Sequence, residues 1–205
     1  MIKNIVFDMG GVLIRFDRRY FIEHNGVAPE DAPILMREVF LSLEWAQLDR
    51  GTLTDEQASE IICARIPAHL HEAARKLVSF WDRPIMPIEG MYELVEELKN
   101  NGYKIYLLSN ASLRQPEYWS RIPASRFFDG TLISAHEGLV KPQPEIYHCL
   151  CERFALKPEE CFFIDDLPIN AEGAVYSGMS AAVFHGDAAE MRQKLRAAGV
   201  NVKAE

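Results

Sequence analysis

The chain has 205 residues, enough for one compact domain or for one core with a modest insertion. Hydrophobic residues make up 48% and charged residues 25%, so the chain can bury a core without disulfide or metal staples. The net charge of −8 argues against a nucleic-acid-binding surface, because such surfaces are basic.

No apolar run is long enough to cross a bilayer, and the first residues lack the pattern of a signal peptide. We therefore expect a cytoplasmic protein without a membrane partner, either a monomer or a homodimer. The cysteines form neither a CxxC pair nor a set with histidines at zinc spacing, which favours reduced thiols.

The first predicted element is a buried strand at residues 5–7, which ends in the tight turn Asp8-Met9-Gly10-Gly11. Residues 16–83 then show helical patterns and no convincing strand. The clearest helices are at 31–43 and at 54–66, where a capping box opens the second. We therefore predict an all-helical domain over 16–83, inserted into an α/β core made of residues 1–15 and 84–205.

The rest of the chain alternates between helical and strand patterns. Strands are predicted at 104–108, 161–164 and 181–184, with a less apolar one at 131–133, and helices at 89–100, 144–154, 169–177 and 188–198. Continuous apolar strands are typical of a parallel sheet covered on both faces. The alternation predicts a doubly wound α/β fold.

Ligands of a parallel α/β sheet bind beyond the carboxyl ends of its strands, so the residues that follow each strand form the candidate site. These residues are Asp8, Gly10 and Gly11 after the first strand, Ser109 and Asn110 after the second, Lys141 in the loop after 131–133, and Asp165 and Asp166 after 161–164.

This set of side chains has a common chemical logic. Carboxylates that converge in one cleft repel one another unless a cation joins them. Oxygen ligands without clustered cysteine or histidine favour a hard ion such as Mg²⁺. Hydroxyl, amide and ammonium donors suit phosphate oxygens, and a carboxylate can attack phosphorus. The set therefore predicts Mg²⁺-dependent phosphoryl transfer from a small-molecule phosphorylated substrate.

The same residues resemble the four motifs of the haloacid dehalogenase-like (HAD) superfamily, in the same order and over essentially the whole chain. The matching segments are 6–12, 108–110, 141–142, and 163–166 together with Asn170. The resemblance implies a Rossmann-like core with an α-helical cap that closes over the active site and selects the substrate.

The resemblance also implies a nucleophile and a metal site. Asp8 would form an aspartyl-phosphate and would also be a ligand of Mg²⁺. The backbone carbonyl of Gly10 and the side chain of Asp166 would complete the protein ligands, and Asp165 would bind the ion directly or through water.

The remaining motif residues would hold the phosphate. Ser109 and Asn110 would bind the transferring phosphoryl group, which the backbone at Gly10 and Gly11 can approach closely. Lys141 would bridge the nucleophile and the phosphate. Asn170 would orient Asp166 or Lys141 by hydrogen bonding, or would only decorate a helix surface.

One position departs from the family pattern. Family phosphatases usually carry a second aspartate two residues after the nucleophile, as general acid and base, where this chain has Gly10. Such a group contributes about 10²–10⁴-fold in rate. Three interpretations are open: a leaving group that needs little protonation, a proton from a cap residue (His24, Glu44 or Asp49), or a weakly active or inactive protein.

A narrower resemblance, to the bacterial α-D-glucose-1-phosphate phosphatase branch, favours the first interpretation. It involves Gly10 and the segments 48–54 and 138–142. The expected substrate is therefore a sugar phosphate such as glucose 1-phosphate. Two other functions stay open: a metal-independent 2-haloacid dehalogenase, against which Asp165 and Asp166 argue, and a non-catalytic regulatory module, which Gly10 would suit.

Overall fold

A single five-stranded parallel sheet forms the centre of the computed structural model, which describes residues 1–203. Its strands are Asn4–Phe7 (β1), Lys104–Ser109 (β2), Gly130–Ile133 (β3), Cys161–Asp165 (β4) and Ser180–Val183 (β5). They lie in the order β3-β2-β1-β4-β5, so the chain extends the sheet to both sides of β1. The carboxyl ends of β1, β2 and β4 therefore meet at the point where the strand order reverses, the usual ligand site of such a sheet.

Five helices lie between β1 and the helix that precedes β2. They are Arg18–His24 (α1), Ala32–Leu35 (α2), Leu43–Arg50 (α3), Asp55–Cys63 (α4) and His71–Phe80 (α5). Their apolar sides form a core of their own, in which Phe21, Leu35, Ile62 and Leu77 are fully or almost fully buried. The predicted helical cap after the first strand is confirmed, and we refer to this helical unit as the cap.

The remaining helices cover both faces of the sheet. They are Met91–Asn100 (α6), Gln115–Trp119 (α7), Ser134–Glu137 (α8), Pro144–Phe154 (α9), Pro168–Tyr176 (α10) and Ala188–Ala197 (α11). Successive side chains of a strand point to opposite faces, and β1 shows this directly. Ile5 and Phe7 pack in the cluster that contains α6 and α11, whereas Val6 packs in the cluster that contains α9. The predicted doubly wound α/β fold is therefore confirmed.

The predicted continuous helix at 31–43 is wrong in detail. α2 ends at Leu35, a π-helical turn spans Met36–Phe40, and a new helix begins after Ser42. Ser42 is extended, and its hydroxyl accepts a hydrogen bond from the Trp45 N–H at 3.2 Å. Serine is a favoured N-cap residue. A new helix therefore begins directly after Ser42, and the preceding helical segment ends before it. Among residues 1–203, no helix has the length and apolar character needed to cross a membrane.

A buried ion cluster joins the end of the cap to the core. The Asp82 side chain is fully buried and accepts hydrogen bonds from Arg114 at 3.2 Å and from Arg121. Arg114 also lies 3.6 Å from Asp55, the first residue of α4. Since two core arginines depend on one cap-side carboxylate, Asp82 fixes the point where the chain returns to the sheet.

We expect Asp82→Asn to lower the free energy of unfolding by about 2 kcal/mol, because it removes the fully buried carboxylate that accepts charge-assisted hydrogen bonds from Arg114 and Arg121. Urea denaturation followed by circular dichroism measures this change. The control is Glu72→Gln, which breaks an exposed pair with Lys76 and should leave the midpoint almost unchanged. Equal midpoints for Asp82→Asn and wild type would contradict the role of the cluster.

Candidate active site

Three carboxylates meet at the carboxyl ends of β1 and β4. Phe7 pairs with Ile164 across the two strands, and the Asp8 N–H donates to the Ile164 carbonyl at 2.8 Å. This register brings Asp8 beside Asp165 and Asp166. One oxygen from each of the three carboxylates lies within 4.8 Å of the others.

Lys141 places one buried ammonium among these carboxylates. Its Nζ lies 2.9 Å from Oδ1 of Asp8 and 2.6 Å from Oδ2 of Asp165, and its side chain is 1% exposed. Burial alone would lower the pKa of Lys141, but the charges of Asp8 and Asp165 outweigh it and raise the pKa. Lys141 is therefore held in its charged form beside Asp8.

One ammonium does not balance three carboxylates, and the pKa values of Asp8 and Asp166 reflect this. Burial, reinforced by the charge of Asp165 and opposed by Lys141, raises the pKa of Asp8 to about 7. Burial and Asp165 also raise the pKa of Asp166. Oδ1 of Asp8 has Lys141 beside it as an ion-pair partner, but no group within residues 1–203 donates it a hydrogen bond of normal geometry. An oxygen-only site with surplus negative charge fits a hard divalent cation such as Mg²⁺.

Hydrogen bonds from three residues hold the carboxylate of Asp165 in place. Oδ1 accepts from the Leu167 N–H at 2.9 Å and from the Asn170 amide at 3.0 Å, while Oδ2 accepts from Lys141. The predicted bond from Asn170 to Asp166 or Lys141 is therefore corrected, because Asn170 orients Asp165 and acts on Lys141 through it. Asp165 is fully buried, whereas Asp166 borders the cavity described below.

Asn110 borders the cavity, and its side chain makes contacts that the sequence did not predict. Its side-chain amide donates to the Lys141 carbonyl at 3.1 Å and accepts from the Lys141 N–H at 2.8 Å. The side chain thus fixes the loop that carries Lys141. Ser109 is buried to 1% exposure and borders the cavity, so its hydroxyl remains available for a phosphate oxygen.

The two glycines of the first turn differ in what they permit. Gly11 has a φ of +76°, and a Cβ there would overlap the Asp166 carboxylate. At Gly10 a Cβ would lie 3.5 Å from Cβ of Phe16, an ordinary contact distance. Gly11 is therefore required by backbone conformation and by the approach of Asp166, whereas a side chain could be accommodated at position 10.

A cavity of about 900 Å³ lies between this edge of the sheet and the cap. Its floor includes Asp8, Ser109, Lys141 and Asp166. Aromatic and basic side chains that the sequence analysis did not assign to the site also border the cavity. They are Arg15, at the end of the first core segment, and the cap residues Phe16, Arg18, Arg19, Trp45 and Trp81. The clustering of three arginines directly after the first motif of an acidic chain was the signal that could have indicated them.

The structure separates the three cap residues considered as proton donors. Asp49 borders the cavity. Glu44 binds Arg65 through both carboxylate oxygens, at 2.9 and 2.5 Å, and hydrogen bonding to Arg65 lowers the pKa of Glu44. His24 stacks on Tyr20 at the exposed surface of α1, with ring centroids 5.3 Å apart. Asp49 alone of the three faces the site.

Comparison with known proteins agrees with this geometry. Residues 2–178 match the family model of haloacid dehalogenase-like hydrolases. The chain is 29% identical over 115 residues to flavin mononucleotide hydrolase 1 of Arabidopsis thaliana, covering 56% of this chain and about half (46%) of that protein. It is 28% identical over 183 residues to D-ribitol-5-phosphate phosphatase of Bacteroides thetaiotaomicron, covering 81% and 84% of the two chains.

A solved structure extends the similarity to nearly the whole fold. A HAD-family enzyme of Bacteroides thetaiotaomicron, in complex with magnesium and inorganic phosphate, superimposes with a TM-score of 0.69 at 26% sequence identity. The match covers 93% of this chain and 99% of that chain.

We expect the two glycine positions to respond differently to alanine. Gly11→Ala should lower the free energy of unfolding by about 1–2 kcal/mol, because alanine resists positive φ and its Cβ displaces Asp166. Gly10→Ala, the matched control one residue earlier, should stay close to wild type. Urea denaturation of the two variants provides the comparison, and equal destabilisation of both would contradict the turn geometry.

Proposed function

Because the chain belongs to the haloacid dehalogenase-like hydrolase family, we propose that it is a Mg²⁺-dependent phosphatase with Asp8 as nucleophile. Family membership and the phosphatase relative that matches most of its length identify it as a hydrolase of the phosphatase type. The observation that carries the proposal is the meeting of Asp8, Lys141 and Asp166 at the floor of one cavity.

The proposed reaction has two halves. An oxygen of Asp8 attacks phosphorus, so that an aspartyl-phosphate forms while the bond from phosphorus to the leaving-group oxygen breaks. The leaving-group oxygen takes up a proton, and the dephosphorylated product departs. A water molecule then loses a proton and attacks the same phosphorus, which releases inorganic phosphate and regenerates the Asp8 carboxylate.

The residues around Asp8 position this transfer and offset its charge. Lys141 lies 2.9 Å from the nucleophile and forms a second ion pair with Asp165, which holds it in place. From this position its ammonium can also reach a phosphoryl oxygen. Ser109 offers a hydroxyl donor at the same floor. Fixed donors of this kind supply most of what phosphoryl transfer requires.

In this proposal Asp8, Asp166 and the Gly10 carbonyl hold Mg²⁺. Asp165 is already bonded to Lys141, Asn170 and the Leu167 N–H. It supports the site by holding Lys141 in place. When bound, the ion would offset the surplus negative charge and polarise the phosphoryl oxygens. The charge surplus also favours a phosphatase over a metal-independent dehalogenase, which would have no use for a third carboxylate.

We assign the cap domain to residues 16–83 and the core to 1–15 and 84–205, with the substrate between them. A cavity of about 900 Å³ has room for a sugar phosphate. Arg18 offers hydrogen-bond donors on the cap side, and Trp45 and Trp81 offer faces on which a sugar ring can stack. Glucose 1-phosphate is the compound to test first among substrates of this class.

The Asp8→Asn variant should lose turnover by roughly 10³-fold or more, the scale expected for removal of a nucleophile, while remaining folded. Phosphate release is measured with Mg²⁺ across sugar phosphates, flavin mononucleotide, other nucleotides and organic-acid phosphates. Asp187→Asn, the same change at the exposed N-cap of α11, is the control and should retain activity. Turnover by Asp8→Asn at the wild-type rate would exclude the proposed nucleophile.

Mg²⁺ should raise the melting temperature of the wild type, because the ion binds the folded carboxylate cluster. At 100 times its dissociation constant a ligand stabilises a protein by about 2.7 kcal/mol. The shift should largely disappear in Asp166→Asn and persist in Asp187→Asn, as measured by differential scanning fluorimetry. An equal shift in all three proteins would place the ion elsewhere.

A further inference from the structure

A carboxylate from the cap borders the same cavity as the position at which the family's usual acid is absent. Gly10 and Asp49 border the same cavity, together with Asp8. Asp49 is the penultimate residue of α3, and no side-chain hydrogen bond or ion pair within the described residues ties its carboxylate to a neighbour. It therefore differs from Glu44 on the same helix, whose carboxylate is bound by Arg65.

Main-chain contacts hold this end of α3 against the core. The hydroxyl of Ser134, a fully buried residue, donates to the Asp49 carbonyl and accepts from the Ala111 N–H at 3.0 Å. Gly51 has a φ of +74° and lies so close to α8 that a Cβ would overlap the Ala135 carbonyl oxygen. These contacts tie the cap segment at Asp49 to the loop that follows Ser109, directly beside the nucleophile.

We propose that Asp49 is the general acid and base of this site, in place of the aspartate that is absent at position 10. The inference depends on the phosphatase function proposed above. In the first half-reaction Asp49 gives its proton to the leaving-group oxygen as the bond from that oxygen to phosphorus breaks. In the second half-reaction the Asp49 carboxylate takes a proton from water, and the water oxygen bonds to phosphorus as the Asp8–phosphorus bond breaks. Asp49 ends each cycle protonated, as it began.

The electrostatic surroundings of Asp49 support both roles. Burial, followed by the charge of Asp8, raises the pKa of Asp49 to about 7, against the opposing charges of Lys141 and Arg18. Tyr118, which also borders the cavity, faces it as a neutral phenol, because burial raises the pKa of that hydroxyl. A carboxyl group with a pKa near neutrality can both donate and accept a proton at physiological pH.

The decisive experiment compares two leaving groups in the Asp49→Asn variant. Release of an alkoxide needs a proton, whereas release of nitrophenolate does not, and kcat/KM reports the first, irreversible half-reaction. For an alkyl phosphate such as a sugar 6-phosphate, kcat/KM should fall by about 10²-fold or more. For p-nitrophenyl phosphate it should change by less than about threefold.

A second variant supplies the acid from the core. Adding Gly10→Asp to Asp49→Asn should restore at least about tenfold of the lost kcat/KM for the alkyl phosphate, within the range such an acid contributes. A Cβ at position 10 would meet Phe16 at an ordinary contact distance of 3.5 Å, and the position borders the cavity. Asp31→Asn is the matched control and should behave like wild type with both substrates. Asp31 is a cap aspartate whose carboxylate pairs with the exposed side chain of His69.

The possible results separate this inference from the function on which it rests. Equal losses with both substrates in Asp49→Asn would show a structural role and overturn the inference, as would unchanged kcat/KM for the alkyl phosphate. Either result leaves the phosphatase proposal intact if Asp8→Asn is inactive with p-nitrophenyl phosphate. A wild-type protein that releases phosphate from neither substrate, nor from any compound of the phosphate-release screen, would overturn both.

Discussion

The feature on which the site depends is an unbalanced charge: three carboxylates converge at the end of two adjacent strands, with one ammonium among them. Such a cluster is unfavourable to bury, and the raised pKa of Asp8, about 7, expresses that cost. It persists because β1 and β4 are paired in register and enclosed by apolar cores on both faces. The fold thus maintains a surplus of negative charge before any ligand binds. A divalent cation can offset this charge and can bind a phosphoryl group at the same time.

Hydrogen bonds from neighbouring residues, rather than contacts among the reacting groups, set the geometry of the cluster. Asn170 holds Asp165, Asp165 holds Lys141, and the main chain of Lys141 is clasped by Asn110. Each of these bonds is buried or partly buried, where a hydrogen bond to a charged group is worth more than at the surface. Lys141 is therefore directed at Asp8 without any ligand, which would reduce the reorganisation needed in the proposed phosphoryl transfer.

Much of this arrangement could be predicted from sequence because it follows from strand ends. Apolar runs located all five strands to within a residue or two, and the residues after them supplied the candidate site. The partners of Asn110 and Asn170 could not be predicted, since an amide near several charged groups can bond to any of them until distances are known. The break in the helix at Ser42 was also missed, because the surrounding residues continue to suit a helix.

The cap residue that borders the cavity was the part of the site hardest to predict from the sequence, for a physical reason. Which of His24, Glu44 and Asp49 faces the cavity depends on how the cap docks, and docking is decided by long-range contacts such as Ser134 with the Asp49 carbonyl. An intramolecular partner can also remove a candidate, as Arg65 does for Glu44. Neither effect leaves a periodic or local mark in the sequence.

The pairing of Gly10 with Asp49 has a consequence for the order of events. An acid carried by the core would stay beside the nucleophile in every position of the cap. An acid carried by α3 reaches the nucleophile only when the cap segment is docked on Ser134 and Ala135. Proton transfer would then be available only in the closed cavity, where water is largely displaced by substrate. Substrates that hold the cap closed would thereby be favoured in the chemical step as well as in binding, which gives the cap a direct part in specificity.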